Sequence, residues 1–391
     1  MTTPNFLVKN KFQKRDSLYE DILTPDILAD VSLKLTGSAE YTCKFDDSGY
    51  NKGRLAILEH EGRLFYISFS EVEIEGRNSS FQSFSTALTK YILEDNPNKE
   101  ICFYFLPGIT GSFETPYFMF NYRLMKTAGV KFLNGDAYIK KTITPFASPE
   151  DIILHKDKIR SANSGNSSTY ITTSAEDKLQ IFGKTYGASK YETANLCLAL
   201  SEISDSKIEL YEIEEGGLTK LPQASKEAIE SLGIIEIYTS NRTIEKVNFK
   251  ENNSLRSAEY VYNLLKKLGN KKCAFCDCAI PQIIQGAHVW PVARIKGENH
   301  LTPDEKLLMA IDGDNGMWLC QNHHKLFDTD ILMVSDNLLI KHRQDIDTDL
   351  LGFIKTTATN KSIEVSIATQ GFMNYLRKRN SDLQEGLYSE L

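Results

Sequence analysis

Apolar residues first gather in short β-branched and aromatic runs between about residues 30 and 140. The segments YTCKF, GRLAILEH, GRLFYISFSEVEI and ICFYFLP are separated by Gly or Asp-Ser-Gly, a pattern that predicts strands. Within this region Phe81, Phe84, Leu88, Tyr91 and Ile92 recur at helical spacing, which predicts a helix over 81–93. In the run FETPYFMFNYRLMKTAGVKFLNGDAYIKK, aromatics are interleaved with Arg123, Lys126, Lys131, Lys140 and Lys141. Two readings stay open: a DNA-facing surface in which Arg123, Lys126 and Lys131 contact phosphates, with Arg294 as a further candidate, or a β-rich aromatic core with ordinary exposed lysines.

The small polar stretch SANSGNSST, Ser161 to Thr169, is the best linker candidate. After it the pattern changes: KLQIFGKTYG, KIELYEI and IIEIYTS read as strands, with SKYETANLCLALSEIS and SKEAIESLG as the helices between them. Ser189 and Glu192 form a capping-box pattern at the start of the first helix. Gly183-Lys184-Thr185 follows a strand but lacks the earlier glycine of a phosphate loop, since Lys178 stands there. A further helix is expected over 257–268, with Tyr260, Val261, Leu264 and Leu265 on one side. Past residue 345, Ile354, Val365, Ile367, Phe372 and Leu376 predict a tail that packs back as a short strand and helix.

The chain thus reads as α+β and multi-domain: a strand-rich N-terminal domain over 1–165 that can serve DNA recognition, an α/β βαβαβ middle domain over 166–252, a module over 253–345, and a packing tail over 346–391. A length of 391 residues, with 41% hydrophobic and 25% charged residues, suits several ordinary globular domains. The net charge of −7 advertises no polyanion partner. From Arg256 to Asp345, 11 Lys+Arg balance 11 Asp+Glu, so that segment is neutral. The first residues, MTTPNFLVKNKFQKRD, lack an apolar signal core, and no apolar run is long enough to cross a membrane, so cytoplasm is the expected compartment.

Candidate chemistry concentrates in one window. Of seven cysteines, Cys273, Cys276, Cys278 and Cys320 lie there with His288, His300, His323, His324 and both tryptophans. Cys273-Ala-Phe-Cys276 and Cys320-Gln-Asn-His323 are two knuckles whose spacing turns both side chains toward one ion, so Cys273, Cys276, Cys320 and His323 are candidate ligands of a structural Zn²⁺. Cys278 is an alternative to Cys276, and reduced cysteines that merely pack are the plain reading. A structural zinc has no use for His288, Asn315, His324 and Asp328. On a helix starting near Asn322, His324 and Asp328 share a face, a mixed nitrogen and oxygen set acceptable to Mg²⁺ or Mn²⁺. With an imidazole to deprotonate water, such a set suits phosphodiester hydrolysis.

The run CAFC, AHVWP, DNGMWLCQNHHKLFD resembles the HNH endonuclease family, whose core is a ββα-metal motif of hairpin, catalytic ion and helix. The resemblance implies that His288, before the turn containing Pro291, is the general base. It implies that Asn315 tethers the hairpin and orients His288, and that His324 ligates the catalytic ion with Asp328 one turn on. Many members carry a metal-binding Asp or His immediately before the general base; this chain has Ala287, with Asp314 or water as the substitutes to consider. The stretch IKGENHLTPDEKLL is inserted relative to compact members and is expected to lengthen the hairpin. His300 is expected to be a loop residue, and Asp312 and Asp314 are turn residues or ligands.

Such cores read little DNA sequence, so specificity falls to the rest of the chain. Upstream, Glu71, Glu73 and Glu75 cluster without the lysine that a second nuclease centre needs. The reading is therefore a metal-dependent endonuclease acting on double-stranded DNA, of type II-like restriction or phage-defence kind. It is expected to work as a homodimer and without a membrane. The alternative from another class is a zinc-stabilised DNA-binding or defence-sensor protein whose HNH centre is idle.

Overall fold

A computed structural model describes residues 2–9, 19–46, 55–70, 77–108, 113–160, 169–175, 178–184, 190–213, 221–240, 242–251 and 257–391. The linker candidate 161–168, Ser189 of the expected capping box, Thr185, and Glu71, Glu73 and Glu75 lie outside these residues. The chain falls into two compact units, one of residues 1–170, 184–207 and 216–237, the other of 171–183, 208–215 and 238–391.

The first unit contains β1 (Asn5–Lys9), α1 (Tyr19–Ile22), α2 (Pro25–Thr36), β2 (Thr42–Asp46), β3 (Leu55–His60), β4 (Arg63–Phe69), α3 (Arg77–Ile92), β5 (Lys99–Tyr104), α4 (Pro116–Thr127), β6 (Lys131–Phe132), α5 (Gly135–Tyr138) and α6 (Pro149–Arg160). Its strands form one mixed sheet in the order β2-β1-β3-β4-β5-β6. Phe65, Ile67, Phe69, Cys102 and Tyr104 join Leu28, Val31 and Leu35 of α2 in one buried cluster. Phe103 and Phe105 instead meet Tyr122 of α4, at ring separations of 6.2 and 5.6 Å. Burial on both faces explains why these strands read as near-continuous apolar runs.

The aromatic stretch after residue 113, in a region expected to be strand-rich, is largely helix α4. Tyr117, Phe118, Phe120, Tyr122, Leu124 and Met125 are all buried, so the helix is apolar around most of its circumference. Its aromatics line no open surface. Arg123 is committed internally: Nε donates to the Thr144 carbonyl at 2.9 Å, and the guanidinium lies 3.8 Å over Phe146. Lys126 and Lys131 are exposed.

The expected alternation after the linker is realised as β8 (Lys178–Lys184), α7 (Lys190–Ile203), β9 (Lys207–Ile213), α8 (Gln223–Ser231) and β10 (Ile235–Ser240), preceded by a strand absent from the sequence reading, β7 (Thr169–Ala175). The sheet order is β10-β9-β8-β7. Glu192, expected in a capping box, lies buried in α7 with the Lys156 Nζ at 2.6 Å and accepts from the Tyr170 hydroxyl at 3.3 Å. A charge this buried requires a partner, and Lys156 supplies it.

The second unit continues with α9 (Arg242–Glu251), α10 (Ala258–Leu268), β11 (Ile284–His288), α11 (Val292–Gly297), α12 (Pro303–Ile311), β12 (Gly316–Cys320), α13 (Gln321–Asp328), β13 (Leu332–Val334), β14 (Ile340–Arg343), α14 (Thr348–Thr357), α15 (Gln370–Asn380) and β15 (Tyr388–Glu390). Ser257 caps α10 by accepting from the Tyr260 N–H at 3.1 Å. Strands β11 and β12 pair antiparallel, with Ile284 opposite Cys320 and His288 opposite Gly316. Helix α10 lies directly on this hairpin at its glycines. A Cβ on Gly316 would sit 2.3 Å from the Tyr260 hydroxyl, and one on Gly286 would sit 2.5 Å from Leu264 Cδ1.

The insertion does not lengthen the hairpin. Pro291, whose φ suits a helix start, precedes α11, and Thr302 and Glu305 form a full capping box that starts α12. The tail forms α14 and α15 and supplies β15 as the third strand of a β13-β14-β15 sheet.

Candidate active site and metal centre

Cys273, Cys276, Cys320 and His323 are buried, and their ligand atoms all lie within 4.8 Å of one another. The His323 Nδ1 is 3.4 Å from Cys273 Sγ and 3.3 Å from Cys320 Sγ. Tetrahedral zinc with Zn–S bonds of about 2.3 Å requires ligand atoms roughly 3.5–3.8 Å apart, so the donor set and its spacing fit that ion. Burial pushes the Cys273 thiol up to about 12 and raises Cys276 as well, so the sulfurs need a cation to become thiolates. Burial pulls the His323 imidazole down, toward the neutral form that donates a lone pair. Cys278 stands outside this group; its carbonyl accepts from the Cys273 N–H at 2.9 Å, which closes the first knuckle.

His288 ends β11 and is half-buried. Its Nε2 lies 2.9 Å from the Ala310 carbonyl oxygen, an acceptor only, so Nε2 carries the proton and the lone pair of the neutral ring is on Nδ1. Ala310 belongs to the inserted helix α12. The ring lies flat on Tyr260, centroids 4.1 Å apart.

Asn315, fully buried, holds the turn beyond His288 by both edges of its amide. Oδ1 accepts from the Trp290 N–H at 2.7 Å, while Nδ2 donates to the carbonyls of Trp290 at 3.0 Å and Met309 at 3.1 Å. Its own carbonyl accepts from the Val289 N–H at 3.0 Å.

His324 and Asp328 lie one turn apart on α13, with His324 Nε2 3.3 Å from Asp328 Oδ2. The Nδ1 of His324 is 3.2 Å from the amide oxygen of Gln285 on β11, so Nδ1 carries the proton and Nε2 presents its lone pair on the side of Asp328. An imidazole nitrogen and a carboxylate oxygen converging in this way fit a divalent ion. Among the described residues, these two are not joined by a third His, Cys, Asp or Glu into a closed group like that of the zinc ligands. Ala287 is fully buried in the hairpin and offers no donor.

A hairpin, a following helix, a buried Asn bracing the turn and a His at the end of the first strand are now in place. Residues 273–334 match the sequence model of the HNH endonuclease family. This segment is an HNH endonuclease domain. It implies phosphodiester hydrolysis with DNA as the substrate. No curated protein matches the chain.

Within the HNH domain, several candidates have other tasks. Asp312 accepts from the Asp314 N–H at 2.9 Å and from the Tyr375 hydroxyl at 3.0 Å. Asp314 pairs with Lys267 and accepts from the Thr369 hydroxyl, both at 2.7 Å, so it is a tie between α10 and the start of α15 and does not replace the ligand missing at Ala287. His300 is exposed in a loop beside Glu298. Arg294 bonds Asp382 at 2.6 Å, an internal ion pair. Sequence reasoning missed Gln285, the Ala310 carbonyl and the part played by Tyr260. Only Gln285 left a trace, as a polar residue on the same strand as His288.

Proposed function

We infer that the chain is a metal-dependent endonuclease cutting double-stranded DNA, of type II-like restriction or phage-defence kind, with His288 as its general base. The observation that carries this reading is the 2.9 Å contact of His288 Nε2 with the Ala310 carbonyl, which fixes the Nε2–H tautomer and puts the basic lone pair of the ring on Nδ1. His288 takes that proton from the attacking water, and the Ala310 carbonyl steadies the imidazolium that results. Tyr260 fixes the plane of the ring, and Asn315 keeps the end of β11 from drifting. His324 and Asp328 hold a Mg²⁺ or Mn²⁺ ion, with Gln285 setting the His324 tautomer. That ion supplies charge stabilisation to the scissile phosphate and the leaving 3′ oxygen.

One such site cuts one strand, so a double-strand break requires two, which favours a homodimer working in the cytoplasm. The residues outside the HNH domain choose the target, and exposed Lys126 and Lys131 are candidates for phosphate contact.

A second reading, a zinc-stabilised DNA-binding or defence-sensor protein with an idle centre, is favoured by one observation, the absence of a donor at Ala287. A nicking assay on supercoiled plasmid with Mg²⁺ or Mn²⁺ separates the two. The nuclease reading expects wild-type cleavage and none from H288A, with zinc content and DNA binding kept. Cleavage retained by H288A removes His288 from its role, and an inert wild type supports the idle centre.

A further inference from the structure

Arg379 on α15 is among the largest side chains wholly shielded from solvent, and it lies beyond the segment that matches the HNH family. Its guanidinium forks. Nη1 donates to the Val289 carbonyl at 3.3 Å, and Nη2 donates to the Phe327 carbonyl and to Asp330 Oδ1, the latter at 2.5 Å. The planar group also lies 3.8 Å over the Phe327 ring. Val289 follows His288 directly, and Phe327 directly precedes Asp328. Both hands of one rigid group therefore grip the backbone beside the candidate general base and beside the candidate metal ligand.

The two grips strengthen a region where a longer tie already runs, Arg294 Nη2 lying 3.6 Å from Asp330 Oδ2. Asn315 holds the Val289–Trp290 turn from the β12 side, and Asp330, in the left-handed region at φ 55°, ends α13 by returning its N–H to the Phe327 carbonyl at 3.0 Å. Arg379 joins these two anchored ends. A lysine has its donors on a single nitrogen and cannot span two carbonyls with one planar fork. A salt bridge to Asp330 alone would have served to bury the charge; the two carbonyl contacts go further and set a distance.

We propose that Arg379 is a positioning residue that sets the spacing of His288 against the His324–Asp328 metal pair, making α15 part of the catalytic apparatus. The inference rests on the nuclease reading of that site. Residues supporting a metal ligand from behind typically change metal affinity or activity by about 10–100-fold when replaced.

The test compares full-length wild type, R379K and R379Q, each assayed below its own melting temperature. Three quantities are read: zinc content, kcat and KM for plasmid nicking as Mn²⁺ is varied, and Mn²⁺ binding by electron paramagnetic resonance without DNA. The expectation for both variants is full zinc, an unchanged KM for DNA, a kcat lower by about tenfold or more, and half-saturation at higher Mn²⁺. Wild-type Mn²⁺ dependence in R379K and R379Q overturns the proposal, as does a loss confined to thermal stability. If both variants fail to fold, R379G with added methylguanidinium takes their place: recovery of tight Mn²⁺ binding supports the proposal, and none refutes it. Should wild type bind Mn²⁺ and cut nothing, the nuclease reading fails while the resonance titration still decides whether Arg379 tunes the metal pair.

Discussion

The imidazole of His288 lies against the phenol ring of Tyr260 with centroids 4.1 Å apart and planes 8° from parallel. Tyr260 is fully buried, its hydroxyl 3.4 Å from the Asn315 carbonyl, and two glycines of the hairpin clear the space that its ring fills. Burial, with the nearby charges of Asp328 and Asp312, drives its pKa well up, so the phenol stays protonated and uncharged beside the imidazole.

Tyr260→Phe should therefore cleave within a few-fold of wild type, because the stacked ring remains. Tyr260→Leu loses the aromatic pair, worth about 0.5–1.5 kcal/mol, and should cut up to about tenfold more slowly. Gly316→Ala drives a methyl into the same hydroxyl and should destabilise the fold by about 1–3 kcal/mol. Nicking rates and chemical denaturation read both; equal rates for the Phe and Leu variants would show that the stack does nothing for cleavage.

Zinc is expected at about one per chain, from four ligands at one site. Cys320 both ends β12 and is the capping position of α13, so the ion would pin the helix that carries His324. Chelation or Cys320→Ser should release zinc, lower the melting temperature and abolish nicking together. A protein that loses its zinc and melts as before would refute a structural role for the four-ligand set.

Asp314 supplies a dependence on pH. Burial works to raise its carboxyl, but its contacts with Lys267 and Thr369, together with the Lys267 charge, outweigh that and hold it below the usual carboxylate range. A depressed folded-state pKa contributes stability above the unfolded value, near about 4, and loses it as pH falls through the folded value. Stability to denaturant should thus drop on acidification below about pH 4, and Asp314→Asn should be less stable at neutrality with a shallower acid slope. Identical slopes in the two proteins would remove Asp314 as a source.

The close grouping of Cys273, Cys276, Cys320 and His323 and the one-turn spacing of His324 and Asp328 were legible because each depends on short spacings along the chain. The same holds for the alternating elements of the middle region, set by local apolar periodicity. What the chain's order hides is decided by packing. The aromatic run became α4 because its rings meet Phe103 and Phe105 of the sheet, and the insertion became a helix that holds the far side of the His288 ring. Glu192 pairs with the buried charge of Lys156, a partner far away along the chain. Nothing local separates Arg379 from Arg377 and Lys378 beside it; only the tertiary fold, by burying one guanidinium between two carbonyls that sequence places far apart, singles it out. Hydrogen bonds of that kind are set by distance in space, and a linear pattern carries no measure of it.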